Sequence, residues 1–207
     1  MPLPPGDREL VQIMDAALAD AALRAGPWLA CRPGCTQCCH GAFAIHTLDA
    51  ERLRAGMATL RREQPALATA IELRTRLWLD EHRSSFPGDP QTGLLGSSEN
   101  DKARFEDFAN DAPCPALNPA SSLCDVYPWR PMTCRVFGPP VRMDAAEDDV
   151  QALACCELCF VGASEAEIAV CEMQPPHQLE NRLLAECEAS SKTSPTGHTI
   201  VAFALLP

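Results

Sequence analysis

Positive charge is scarce in this chain of 207 residues: 17 Lys and Arg stand against 28 Asp and Glu, a formal net charge of −11. Such a balance cannot drive phosphate binding by counterion release, and an anionic bilayer would repel it. Nucleic acid and membrane surfaces are therefore excluded as expected partners. Long apolar runs are missing too. The longest, Ile200 to Leu206, falls far short of the roughly 20 residues needed to cross a bilayer. The opening segment, Met1 to Arg8, has no basic stretch followed by an apolar one, so no secretory signal is expected, and the reading is of a cytoplasmic chain with reduced thiols. Glycine-rich phosphate loops, HExxH and a Ser-His-Asp order signature are absent as well, and catalytic residues stay unassigned. Aromatics are few, 7 Phe, 3 Trp and 1 Tyr, and the 12 cysteines outnumber them. A chain of this length buries a real core without disulfides, so the cysteines need another explanation.

Periodicity organises the remainder. Leu10, Val11, Met14, Ala17, Leu18 and Ala21 recur at helical steps and predict an amphipathic helix over 8–25, ended by Gly26-Pro27. Thr47, Asp49 and Glu51 open a second helix running to about Glu63, and Pro65 opens a third through Trp78 to His82. Residues 84–113 read as a long loop with at most a short helix near Lys102–Phe108. Residues 114–160 hold six prolines and six cysteines, a density of breakers that forbids long helices and suits loops stapled by a ligand. Ser164 and Glu167 form a capping-box pattern, Pro176–Glu188 reads as a helix, and Thr199–Leu206 as a strand or buried tail. The acidic run Asp144 to Asp149 reads as a solvated face. The expected fold is mainly α with irregular, metal-stapled cysteine-rich loops and little or no β-sheet. Its parts are an N-terminal helix (1–30), a cysteine-cluster metal-binding domain (31–160, with the long loop 84–113) and a C-terminal helical extension (161–207) on the same domain.

Ten cysteines fall into three groups: Cys31-x3-Cys35-x2-Cys38-Cys39, Cys114/Cys124/Cys134 and Cys155-Cys156-x2-Cys159. Thiolates two residues apart on a turn can reach one metal or cluster, and Pro33-Gly34 frees the backbone to turn. Adjacent side chains diverge in regular backbone, so Cys38 and Cys39 need not serve one metal, and the number of sites stays open. Cys171 and Cys187 stand alone on predicted helices and read as core. His40 follows a ligand candidate and points elsewhere, His46 leads into the next helix, and His82, His177 and His198 have no ligand-spaced partner.

The segments Cys35-Thr-Gln-Cys38-Cys39, Cys114-Pro-Ala-Leu117 and Cys124-Asp-Val-Tyr127-Pro-Trp-Arg130-Pro131-Met-Thr-Cys134-Arg135-Val-Phe137 resemble the YkgJ-type cysteine-cluster proteins, described as zinc- or iron-chelating domains. The resemblance runs from about Cys31 to Phe160 and takes in Cys156-Glu-Leu-Cys159. The motif is also similar to that of flagellin lysine N-methylases, which bind an iron–sulfur cluster. Cys31 departs from CxxCxxCC by one position. The candidate metal ligands are Cys31, Cys35, Cys38, Cys39, Cys114, Cys124, Cys134, Cys156 and Cys159. Arg130 and Arg135 are placed to offset thiolate charge, and the Tyr127 hydroxyl to reach a ligand sulfur.

The two gaps of nine residues between Cys114, Cys124 and Cys134 suit a bulky cluster reached from several loops, so the expected cofactor is an iron–sulfur cluster, [4Fe–4S] first, with zinc or iron ions as alternatives. The leading function is a metal-binding protein rather than an enzyme. One alternative is a methylase-like enzyme using S-adenosylmethionine, since Cys31-x3-Cys35-x2-Cys38 has the spacing of radical enzymes that use that cofactor, although no strand–helix alternation follows it. The other is a structural zinc adaptor, whose acidic exterior would suit a basic protein partner.

Overall fold

The computed structural model describes residues 2–142, 153–191 and 196–207. The acidic run Asp144 to Asp149 lies outside them. In chain order the elements are α1 (Asp7–Ala25), β1 (Ala44–Ile45), α2 (Thr47–Glu63), α3 (Pro65–His82), β2 (Gly88–Asp89), β3 (Leu94–Leu95), α4 (Glu99–Glu106), α5 (Met132–Val136), β4 (Val141–Arg142), β5 (Leu153–Ala154), α6 (Glu165–Ala169), α7 (His177–Ser190), β6 (Thr199–Ile200) and α8 (Val201–Ala204). Among the described residues, helix accounts for 53% and strand for 9%, so the fold is mainly α, as expected. The strands form three antiparallel pairs, β1 with β6, β2 with β3 and β4 with β5. The chain divides into two compact units: unit 1 comprises Met1–Pro4, Pro33–Pro131 and Arg182–Pro207, and unit 2 comprises Pro5–Arg32 and Met132–Asn181.

Unit 1 is organised by the α2–α3 hairpin. Leu53, Met57 and Leu60 of α2 repeat at steps of four and three, and with Ala68 and Ile71 of α3 they form an apolar core joined by Ile45, Ala116, Val126, Val201 and Leu205. Gln64 separates the helices, and Pro65 starts α3 at a position where its missing N–H costs nothing. Inside α2, Asp49 and Arg52 form an ion pair with both side chains buried. A second cluster of Leu79, Phe86, Phe108, Ile200 and Ala202 anchors the segment after α3. That segment is more ordered than a loop: β2 and β3 make a hairpin, and α4 starts at Glu99 because the Ser98 hydroxyl accepts from the Asp101 N–H. The C-terminal tail is both strand and buried tail, with β6 paired to β1 and Ala204 and Leu205 fully buried.

In unit 2, α1 buries Leu10, Met14, Ala21 and Ala25, and its Asp15 pairs with Arg135 of α5 at 2.5 Å. Ala25, Cys159, Phe160 and Cys171 form an apolar cluster with Trp28 and Cys156 against it. The capping box at Ser164 and Glu167 is formed.

Candidate metal centre

Cys38, Cys39, Cys114 and Cys124 sit on three turns of unit 1 that backbone hydrogen bonds join. Cys38 and Cys39 sit on the 3-10 turn Gln37–Cys39, closed by the Cys39 N–H donating to the Thr36 carbonyl at 2.8 Å. The Cys114 N–H donates to the Cys39 carbonyl at 2.7 Å, which pins the second turn to the first. The third turn pairs with the second: Leu117 bridges Cys124, and the Asp125 N–H donates to the Ala116 carbonyl at 2.9 Å. Arg74 of α3 braces both, donating to the Pro115 carbonyl at 3.0 Å and to Asp125 at 2.5 Å. Asn118 adds a bond to Asp125 at 3.1 Å. Beyond Cys124, Trp129 lies directly on α2 at Gly56, where a Cβ would fall 2.5 Å from the indole. Glycine at this point lets the turn seat against the helix.

The thiols sense one another. The hydrogen bond with Cys39, followed by burial and the Cys39 charge, holds Cys38 far above the ordinary thiol value, while Arg130 opposes the shift. Burial pushes Cys114 up to about 12, with Cys124 adding to it. Burial also raises Cys124, again opposed by Arg130 and reinforced by Cys38. Arg130 is itself buried, its guanidinium stacked 3.8 Å over the Tyr127 ring. Among the described residues, no group of three or more Cys, His, Asp and Glu side chains stands ready to hold a metal ion. The donor chemistry still fits a thiophilic cation: crowded thiols that resist ionising together are the ones a metal deprotonates, because it supplies the missing positive charge. An open cleft of about 830 Å³, lined by Arg74, Trp78, Glu81, His82 and Asp111, reaches Cys114 from the solvent side.

The expected ligands divide between the units. Cys35, half-buried, precedes the Gln37–Cys39 turn in unit 1, whereas Cys31, Cys134, Cys156 and Cys159 belong to unit 2. Cys171 and Cys187 are buried, as a core reading requires. Arg135 is buried and bonded to Asp15, and Tyr127 is 57% exposed. The His40 ring hydrogen-bonds the Thr36 carbonyl at 3.0 Å, and His82 packs on Trp78. Sequence reasoning missed Arg74 and Asp125, since a lone arginine on a helix carries no signal of the turns it braces. It also left Cys155 aside, although burial and the neighbouring Cys159 charge raise its thiol.

Residues 30–159 match the family CxxCxxCC, "Putative zinc- or iron-chelating domain". The match covers more than half of the 207 residues, and the chain belongs to this family of zinc- or iron-chelating domains. No curated protein and no solved structure matches. Among the described residues, no helix is long and apolar enough to cross a membrane.

Proposed function

We propose that unit 1 holds an iron–sulfur cluster of the [4Fe–4S] type through thiolates drawn from Cys35, Cys38, Cys39, Cys114 and Cys124, in a cytoplasmic protein whose role is metal binding. The observation that carries this reading is the joining of three separate turns around mutually sensitive thiols beside a buried Arg130. A bulky cluster suits ligands spread over three turns better than paired knuckles do. When bound, such a cluster supplies one-electron transfer or a rigid cross-link between loops. The chain's own part is to aim the turns through Arg74 and Asp125, to offset charge with Arg130, and to bury Cys114 and Cys124 against the helical core. Five thiols exceed the four that a [4Fe–4S] cluster requires, so every iron can be capped and none need be open to substrate. This favours a binding or electron-carrying role over an enzyme using S-adenosylmethionine.

Anaerobic purification tests the proposal. Iron and acid-labile sulfide in matching amounts, with brown colour, are expected, and S-adenosylmethionine should leave the electron paramagnetic resonance spectrum of the reduced protein unchanged. Cys38→Ser or Cys124→Ser should abolish the cluster, while Cys187→Ala keeps it and costs roughly 1 kcal/mol of stability. A sulfide-free protein would overturn the cluster reading.

A further inference from the structure

One face of unit 1 leaves apolar surface open beside unpaired negative charge. On α3, Leu73 is 55% and Leu77 61% exposed, and four residues apart they lie one above the other on the same side of the helix. Leu77 lines the open cleft of about 830 Å³ together with Pro113, Leu117 and Pro119. The cleft has the size usual for ligand sites, and it is braced: Arg74 donates to the Pro115 carbonyl at 3.0 Å, and the Trp78 ring meets the buried Phe108 ring edge-on at 6.0 Å. Glu81, Asp107 and Asp111 line it as well, all three exposed. Among the described residues neither aspartate pairs with a Lys or Arg, Glu81 has the His82 ring at 3.9 Å, and Arg74 is taken by Asp125 at 2.5 Å. Ala109, between the two aspartates, stands at φ +54, a conformation that a residue with a side chain keeps where the surrounding fold imposes it.

We propose that this cleft is the docking site for a protein segment in which Lys or Arg side chains are interspersed with apolar ones. Charge decides the sign of the occupant: three carboxylates beside a guanidinium that is already bonded repel an anion and attract a cation. Spread decides its kind. Among the described residues no three Asp, Glu, His and Cys side chains converge as one metal ion needs, so the positive charge that fits is distributed along a chain, each cationic side chain meeting a carboxylate. A bare polyamine would leave Leu77 exposed, whereas apolar side chains cover it. The prolines at 113, 115 and 119 lack the N–H that an added strand would use, so side chains rather than backbone grip the segment. Cys114 lines the same cleft, which sets the docked segment against the thiol turns. The proposal rests on the walls of the cleft and holds whatever the thiols of unit 1 bind.

Fluorescence anisotropy of the anaerobically purified full chain with a dye-labelled peptide of alternating Arg and Leu tests the proposal. Saturable binding is expected, weakening as salt is added, and a peptide of alternating Glu and Leu should not bind. Asp107→Asn/Asp111→Asn should weaken binding by about tenfold and Leu77→Ser by roughly fivefold. All three side chains are exposed, so circular dichroism should stay unchanged. Glu9→Gln/Glu165→Gln removes the same charge from exposed positions in unit 2 and should leave the affinity within about twofold. Equal weakening by that distant pair would assign binding to net charge and overturn the docking site. So would a peptide of alternating Arg and Ser that binds as tightly as the Arg and Leu one, spermine that displaces the peptide at equal concentration, or the absence of saturable binding. A chain without sulfide that still binds the peptide refutes the cluster and leaves the docking site standing, and a chain with the cluster that ignores the peptide does the reverse.

Discussion

The α2–α3 hairpin and the cysteine turns of residues 114–131 belong to the same unit and are held together by different means. The hairpin buries a repeating apolar face, Leu53, Met57, Leu60, Ala68 and Ile71, and its order follows from the 3.6-residue period with proline at the start of the second helix. The apolar residues buried in the turns are few, Pro115, Ala116, Val126 and Pro131. They are held instead by polar bonds to Asp125, from Arg74 of α3 and from Asn118 within the turns, and by the Cys114 N–H bond to the Cys39 carbonyl. One region carries its stability in its sequence pattern. On the proposed function, the other carries positions for a ligand that would then supply the stability.

Removing the ligand should break the comparison most sharply. Structural metal binding contributes on the order of 10 kcal/mol to segments of this kind, so chelation should open residues 114–131 to protease while the α2–α3 hairpin stays protected. Equal resistance with and without metal, read as fragment patterns in limited proteolysis, would show that the turns hold themselves. The reverse experiment acts on the hairpin. Leu53→Ala removes a fully buried side chain from the core and should cost about 2–5 kcal/mol in urea unfolding, with the metal content of the folded fraction unchanged.

The same contrast governs what could be read in the sequence. Helices expected over 8–25, 47–63 and 65–82 appear at Asp7–Ala25, Thr47–Glu63 and Pro65–His82, because periodicity, glycine and proline act locally. Within 84–113, the short helix begins at Glu99 rather than near Lys102; the Ser98-to-Asp101 spacing that caps it was present but weak beside so many turn residues. Candidate thiols could be named from spacing, but their partners could not. That Cys39 pairs with Cys114, that Arg74 braces Asp125, and that Cys31 rests on Gly138 are facts of tertiary packing across many residues. No window of sequence reports them. The assignment of Cys124 to unit 1 and Cys134 to unit 2 was equally hidden, since both sit in one continuous motif.

The smallest effect expected is a pH dependence seated in the helical part rather than in the turns. His46 precedes α2, and its ring lies 4.9 Å from that of His198. Burial lowers its pKa below 6.5; Asp49 of α2 and Glu188 of α7 pull it up, and His198 and Arg52 push it down. A histidine depressed in the folded state binds its proton more readily once unfolded. Its contribution is therefore intact above the unfolded value of about 6.5 and declines as the pH falls below that, because the unfolded chain then takes up protons that the folded chain refuses. Urea unfolding at about pH 7.5 and about pH 5.5 should show the wild type losing more stability on acidification than His46→Gln does. Any titration of the cysteine turns acts on both proteins alike, so the difference between their slopes isolates the histidine. Identical slopes would remove His46 as the source and leave acid sensitivity to other groups, the cysteine turns among them.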